Sequence, residues 1–114
     1  MKTMTETVFI SERDNAPDLK FKGVHIASAA SSSNNASSAY SGSPGRWTTL
    51  GLYRTRGGKY VSVRVSHTVW SGETDRHEAR VCETEADVVE FFGHGWLAKK
   101  LYEAAGIDAT EAVA

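Results

Sequence analysis

Between Arg46 and Glu83, apolar and polar side chains alternate with a period of two in three successive runs, 46–55, 59–69 and 75–83. That period marks strands with one buried and one wetter face. Gly57-Gly58 separates the first two runs and matches a two-residue hairpin turn, in which both central positions need positive φ. This turn places Thr55 opposite Tyr60, Leu52 opposite Val63 and Leu50 opposite Val65, so that aliphatic side chains meet across the ladder. Ser71-Gly72-Glu73-Thr74 reads as the second turn, with Val69 opposite Asp75 and Val63 opposite Val81. The predicted meander has an inner face of Leu50, Leu52, Val61, Val63, Val65, Ala79 and Val81. Its outer face collects Trp47, Tyr53, Tyr60, Arg64, Arg76 and Arg80, together with Thr49, Ser62, Ser66 and Glu78.

The flanking segments complete an α+β domain. Thr7-Val8-Phe9-Ile10 predicts a first strand, ended by Asp14-Asn15-Ala16-Pro17-Asp18, because Asn and Asp favour turns and proline lacks an amide proton. Leu19 to Ala29 resumes an extended pattern whose parity changes at Gly23, which predicts a β-bulge there. From Ser28 to Gly45 serine, asparagine, glycine and proline dominate. Such a stretch has too little apolar surface to offset an ordering entropy of about 1–2 kcal/mol per residue, and predicts a loop. Thr84-Glu85-Ala86-Asp87 resembles a capping box, followed at helical spacing by Val88, Phe91 and Phe92. Gly93-His94-Gly95 breaks the pattern, and a second amphipathic helix from Trp96 closes at Gly106, with a short tail over 107–114. The expectation is one domain, 1–114, with an antiparallel sheet of four to five strands covered on one face by two C-terminal helices.

Composition narrows the class. A chain of 114 residues with 40% apolar residues suits one self-sufficient domain. Cys82 is the single cysteine, which excludes an intrachain disulfide and suits a reducing compartment. No apolar run approaches the roughly 18 residues of a membrane span, and the first ten residues lack a signal-peptide centre. The cytoplasm is the expected location, without membrane contact. Net charge is −1, yet residues 46–80 hold seven basic against three acidic groups, and residues 81–114 hold two against seven. The domain therefore carries two electrostatically different ends.

Candidate chemistry is sparse. Gly93-His94-Gly95-Trp96-Leu97-Ala98 formally fits a dinucleotide fingerprint but joins two helices, where the fingerprint needs a strand before it. His67 and His77 face each other in the expected register, but spacing supplies no third ligand for a metal, and neither a metal nor a cofactor is expected. His94 lies in a glycine-flanked loop, no Gly-x-Ser-x-Gly elbow occurs, and Arg80 beside Cys82 lowers the thiol only somewhat.

Phe21-Lys22-Gly23, followed later by Tyr53-Arg54-Thr55-Arg56-Gly57-Gly58-Lys59-Tyr60, is similar to the central part of the EXLDI proteins, small uncharacterised bacterial proteins. The resemblance implies no activity. The face bearing Trp47, Tyr53, Tyr60, Arg64, Arg76 and Arg80 has the residue types of protein–protein hot spots. The leading expectation is a non-enzymatic binding module that contacts another protein, or a second copy through sheet faces or edges. Size and texture associate it with accessory proteins of bacteria and mobile elements, including inhibitors of host systems. The alternatives are a single-stranded nucleic-acid binder using Tyr53, Tyr60, Arg64 and Arg80, which the overall charge opposes, and a small enzyme built on His67, His77 or His94.

Overall fold

A computed structural model describes residues 7–31, 46–69 and 72–110. Five strands form one antiparallel sheet in the order β1-β2-β3-β4-β5: β1 (Thr7–Ser11), β2 (Leu19–Ser31), β3 (Arg46–Thr55), β4 (Tyr60–Thr68) and β5 (Arg76–Cys82). Two helices follow, α1 (Glu85–Phe92) and α2 (Trp96–Ala105). The class is the expected α+β. The serine-rich stretch contributes its first residues, 28–31, to β2, and its remainder lies outside the described residues.

The β3–β4 turn differs from expectation by one residue, with large consequences. Arg54, and not Thr55, lies opposite Tyr60, and the Thr55 amide donates to the Lys59 carbonyl at 2.7 Å. The loop is thus Arg56-Gly57-Gly58, a three-residue turn in which Gly58 alone of the two glycines has positive φ, at 87°. Thr55 rigidifies it by accepting both the Gly58 amide on its carbonyl and the Lys59 amide on its hydroxyl, each at 3.0 Å. A one-residue slip exchanges the two faces of the partner strand. Leu50 and Leu52 therefore share a face with Arg64 and Ser62, and Val61, Val63 and Val65 lie on the other side with Tyr53, Gly51 and Thr49. The β4–β5 pairing departs by two residues, with Val63 opposite Ala79 and Val61 opposite Val81. A shift of two preserves the faces.

The bulge in β2 sits at Ile26, where His25 pairs with Tyr53 and Ala27 with Leu52, and not at Gly23. Gly23 serves a different need: a Cβ there would lie 2.1 Å from the Arg54 carbonyl oxygen, so only glycine allows this approach of β2 to β3.

Both helices pack on the Leu50–Leu52 side. Ala27, Leu50, Leu52, Tyr60 and Cys82 of the sheet bury against Val88, Phe92, Ala98, Leu101 and Tyr102 of the helices, with Ile107 beyond. Thr84 caps α1 as expected, its hydroxyl accepting the Asp87 amide at 3.2 Å, and the Asp87 carboxylate accepts the Glu83 amide at 3.2 Å. Gly106, left-handed at φ 75°, closes α2. The Tyr102 hydroxyl donates to the Gly93 carbonyl at 2.6 Å, tying α2 to the end of α1.

The sheet is rolled. β1 and β5 are its two extremes, yet the Asp14 amide after β1 donates to the His77 carbonyl of β5 at 3.0 Å, and the Asp14 carboxylate accepts the His77 amide at 2.9 Å. Since the helices occupy one side, the β1–β2 hairpin bends across the other. Its Phe9 and Phe21 rings meet Tyr53 with centroids 4.7 and 5.4 Å away, and Val61, on the same side, is 1% exposed. The molecule thus buries apolar side chains on both sheet faces, one under helices and one inside its own curl. Among the described residues no helix is long and apolar enough to cross a membrane.

Candidate functional site

The six residues expected on one outer face do not share a face. Trp47 and Tyr53 line the hollow of the rolled sheet, whereas Tyr60, Arg64, Arg76 and Arg80 belong to the helix side of β4 and β5. The cause is the three-residue turn, which pairs even-numbered β3 residues with even-numbered β4 residues and so separates Tyr53 from Tyr60 and Arg64.

On the helix side, most of these groups are engaged within the chain. Arg64 donates through Nε to Glu78 at 2.8 Å and through Nη1 to the Phe91 carbonyl at 3.2 Å, with its guanidinium 4.7 Å from the centre of the Phe91 ring. Arg80 approaches the same ring at 5.5 Å and pairs with Glu90 at 3.9 Å. Tyr60, buried, donates to Glu85 and accepts from Arg54, both at 3.4 Å. These contacts fasten α1 to β4 and β5. The Arg64 guanidinium, over the Phe91 ring, also satisfies the last-turn carbonyl of a helix that has no basic residue in that turn. Arg76 is the exception, exposed at the rim of a cavity of about 510 Å³ beside Asp14, His67 and Asp75.

The hollow has a different chemistry. Its lining comes from alternate residues of all five strands: Phe9 of β1, Phe21 and His25 of β2, Trp47, Thr49 and Tyr53 of β3, Val61, Val63, Val65 and His67 of β4, and His77, Ala79 and Val81 of β5. No strand residue on this face is Lys, Arg, Asp or Glu, whereas Lys20, Lys22, Arg46, Arg54, Arg64, Arg76, Glu78 and Arg80 all fall on the helix side. Desolvating the strand residues of this lining costs little, since none of them carries a formal charge; the nearby charges, Asp75 on His67 and Glu12 on His77, come from the loops. The lining is incompletely covered: Val63, Val65, Trp47 and Tyr53 are half-buried, His25 is exposed and Val81 is 44% exposed. Sequence reasoning found Trp47 and Tyr53 but assigned the valines to the helix-covered core. The available signal was the parity of charge, because every charged residue of β3, β4 and β5 has an even number.

At one end of the hollow a polar relay is built around His67. Its Nδ1 donates to Asp75 Oδ2 at 3.0 Å, its Nε2 lies 2.9 Å from Thr49 Oγ1, and Trp47 stacks on the ring with centroids 5.0 Å apart and planes 12° apart. In the neutral ring, Nδ1 carries the proton toward Asp75 and Nε2 accepts from Thr49. The Asp75 carboxyl lies below the usual carboxylate range, because the Thr68 amide donates to Oδ1 at 3.0 Å and His67 to the other oxygen. His67 does not face His77: it pairs with Trp47, and His77 with Val65. Among the described residues, no three His, Cys, Asp or Glu side chains converge as a metal site requires. Cys82 is buried under the helices, and burial pushes its thiol up despite the Ser62 hydroxyl at 3.5 Å and the nearby Arg80 charge. It is therefore no activated nucleophile. His94 is exposed in the turn between the helices.

Comparison with protein-family models, with curated proteins and with solved structures finds no match for this chain.

Proposed function

We propose that this chain is a non-enzymatic binding module that acts by protein–protein contact, receiving an uncharged apolar segment of another protein in the hollow of its rolled sheet. The observation that carries this reading is a half-exposed lining whose strand residues include no Lys, Arg, Asp or Glu, with Trp47, Tyr53 and three valines presented together. Aromatic anchors in a surface from which charged residues are depleted are what interface cores contain. The surrounding charges on the helix side keep the domain soluble without entering the contact. An accessory or inhibitory role, exerted by occupying a partner's apolar segment, needs no further machinery.

Panning a displayed random-peptide library on the domain tests this. The expected outcome is enrichment of uncharged sequences rich in aromatic and aliphatic residues, whose binding is lost in Val81→Asp and unaffected in Arg76→Ala. No enrichment, or enriched peptides that bind Val81→Asp equally well, would defeat the proposal.

A second reading, the histidine-dependent enzyme, is favoured by the Thr49–His67–Asp75 relay, in which a hydroxyl meets a base oriented by a carboxylate. Hydrolysis of activated esters that disappears in both Thr49→Val and His67→Gln would support it, and turnover equal to either variant would remove it. A nucleic-acid reading has no comparable support, because Tyr53 and the guanidinium groups of Arg64 and Arg80 lie on opposite sides of the sheet.

A further inference from the structure

The two edges of the sheet are built differently. At β5 the outward-facing amide and carbonyl of His77 are taken up by Asp14, Glu12 reaches the His77 ring at 3.3 Å, and the strand carries Arg76, Glu78 and Arg80. Charge and occupied backbone groups are the usual protections against edge-to-edge pairing. β1 has neither. Its five residues, Thr7-Val8-Phe9-Ile10-Ser11, include no charged side chain and no proline. Among the described residues β1 is paired on its β2 side only. Moreover, Val8 and Ile10 project from the rolled hairpin away from the Phe9 side, and they are 48% and 65% exposed. β-Branched apolar side chains on an unprotected edge are the chemistry of strand addition.

We propose that β1 is a self-pairing edge: it adds antiparallel to β1 of a second copy about a two-fold axis at Phe9, joining two five-stranded sheets into one of ten strands. The occupant follows from the order of side chains. Antiparallel pairing centred on Phe9 sets Thr7 against Ser11 of the other copy and Val8 against its Ile10, and by symmetry Ile10 against its Val8. Every exposed aliphatic group then gains an aliphatic neighbour, and each small hydroxyl residue faces another. A one-residue slip would set Val8 against a Phe9 or a Ser11 and lose the match.

The flanking charges tolerate this arrangement. Lys22 lies beside Val8 and Lys20 beside Ile10 on β2, so a lysine of one copy faces a lysine of the other across the two β1 strands. Three strand spacings separate them by roughly 14 Å, beyond the screening length of about 8 Å at physiological salt. Their methylene stems lie along the new apolar pair. With five residues on each side the contact is small, at the low end of the size range for interfaces, so association is expected only at high protein concentration. The edge is distinct from the hollow, so this proposal stands or falls apart from the preceding one.

Sedimentation velocity of the whole chain, from about 10 µM to about 1 mM, tests it alongside Ile10→Lys and Val81→Asp. Ile10 is exposed, so its replacement leaves the fold intact, as circular dichroism will show. The wild type and Val81→Asp should pass from monomer to dimer over this range, and Ile10→Lys should require at least about tenfold more protein. Hydrogen exchange of the β1 amides should slow as the wild-type concentration rises. A chain that stays monomeric throughout, or a dimer of equal affinity in Ile10→Lys, would overturn the proposal. So would a dimer abolished by Val81→Asp, which would locate the contact in the hollow.

Discussion

Replacing Gly23 by alanine probes the point where β2 approaches β3 most closely. Gly23 has no positive φ, so alanine meets no backbone-dihedral penalty and would gain about 0.4–1 kcal/mol from a less flexible unfolded chain if space allowed. Space does not allow it. The new Cβ would stand 2.1 Å from the Arg54 carbonyl oxygen, 2.9 Å from Thr55 Cα and 3.0 Å from the Arg54 carbonyl carbon. All three are backbone atoms of the paired strand, and no rotamer change relieves the clash. The strands must part by about an ångström where the Arg56 amide donates to the Lys22 carbonyl at 2.8 Å. Forcing a methyl group into a packed site costs about 1–3 kcal/mol, and a weakened backbone hydrogen bond about 1 kcal/mol more. The net loss is then roughly 1.5–3.5 kcal/mol, or a fall in Tm of roughly 6–25 °C for a domain of this size. Gly51→Ala is the matched control: the atoms nearest its Cβ would be those of the Tyr53 side chain, from 3.4 Å, and a side chain can yield. Thermal melts followed at 222 nm should show a large drop for Gly23→Ala and a small change for Gly51→Ala. Equal stability of Gly23→Ala and wild type would refute the close approach, and with it the β2–β3 register.

Three further outcomes follow from the site. Arg64→Ala removes the donor to the Phe91 carbonyl and the cation over its ring, and should cost roughly 1–2 kcal/mol with faster hydrogen exchange in α1; unchanged α1 protection would contradict the fastening role. Because the Asp75 carboxyl is lowered chiefly by the Thr68 amide and next by His67, its contribution to stability is complete above the ordinary aspartate range near pH 3.9. That contribution is lost as pH falls through the depressed folded value. Asp75→Asn should therefore flatten the acid side of the stability curve, and an identical acid limb in both proteins would count against the relay. The raised, buried Cys82 thiol should react with a thiol reagent only on unfolding, so rapid labelling of the native protein would refute its placement.

For function, the one-residue difference in the β3–β4 loop matters more than any single contact. It turns an expected patch of arginine and tyrosine into two separate structures. Arg64 and Arg80 become anchors for α1 through Phe91, while Trp47 and Tyr53 join Phe9, Phe21 and the valines in a hollow whose strand residues carry no charge. The β4 and β5 residues first assigned to a partner are largely engaged from within, and the β4 and β5 residues first assigned to the core line the side left partly open.

Local chemistry in the sequence determined the elements themselves. Period-two alternation marked β3, β4 and β5, the turn residues after β1 ended it, Thr84 and Asp87 started α1, and Gly106 stopped α2. Each of these signals acts within a few residues, and each is visible in order along the chain. The register between strands was decided only in three dimensions. Matching Leu50 and Leu52 to valines assumes that one sheet face is buried and the other wet. Here the β1–β2 hairpin curls over the second face, so both faces of β4 bury apolar or small side chains, with Val61 and Ser62 each almost fully enclosed. When both parities can be buried, the apolar pattern no longer selects between them. The choice passes to the geometry of one glycine, Gly58, which takes positive φ where two were expected to.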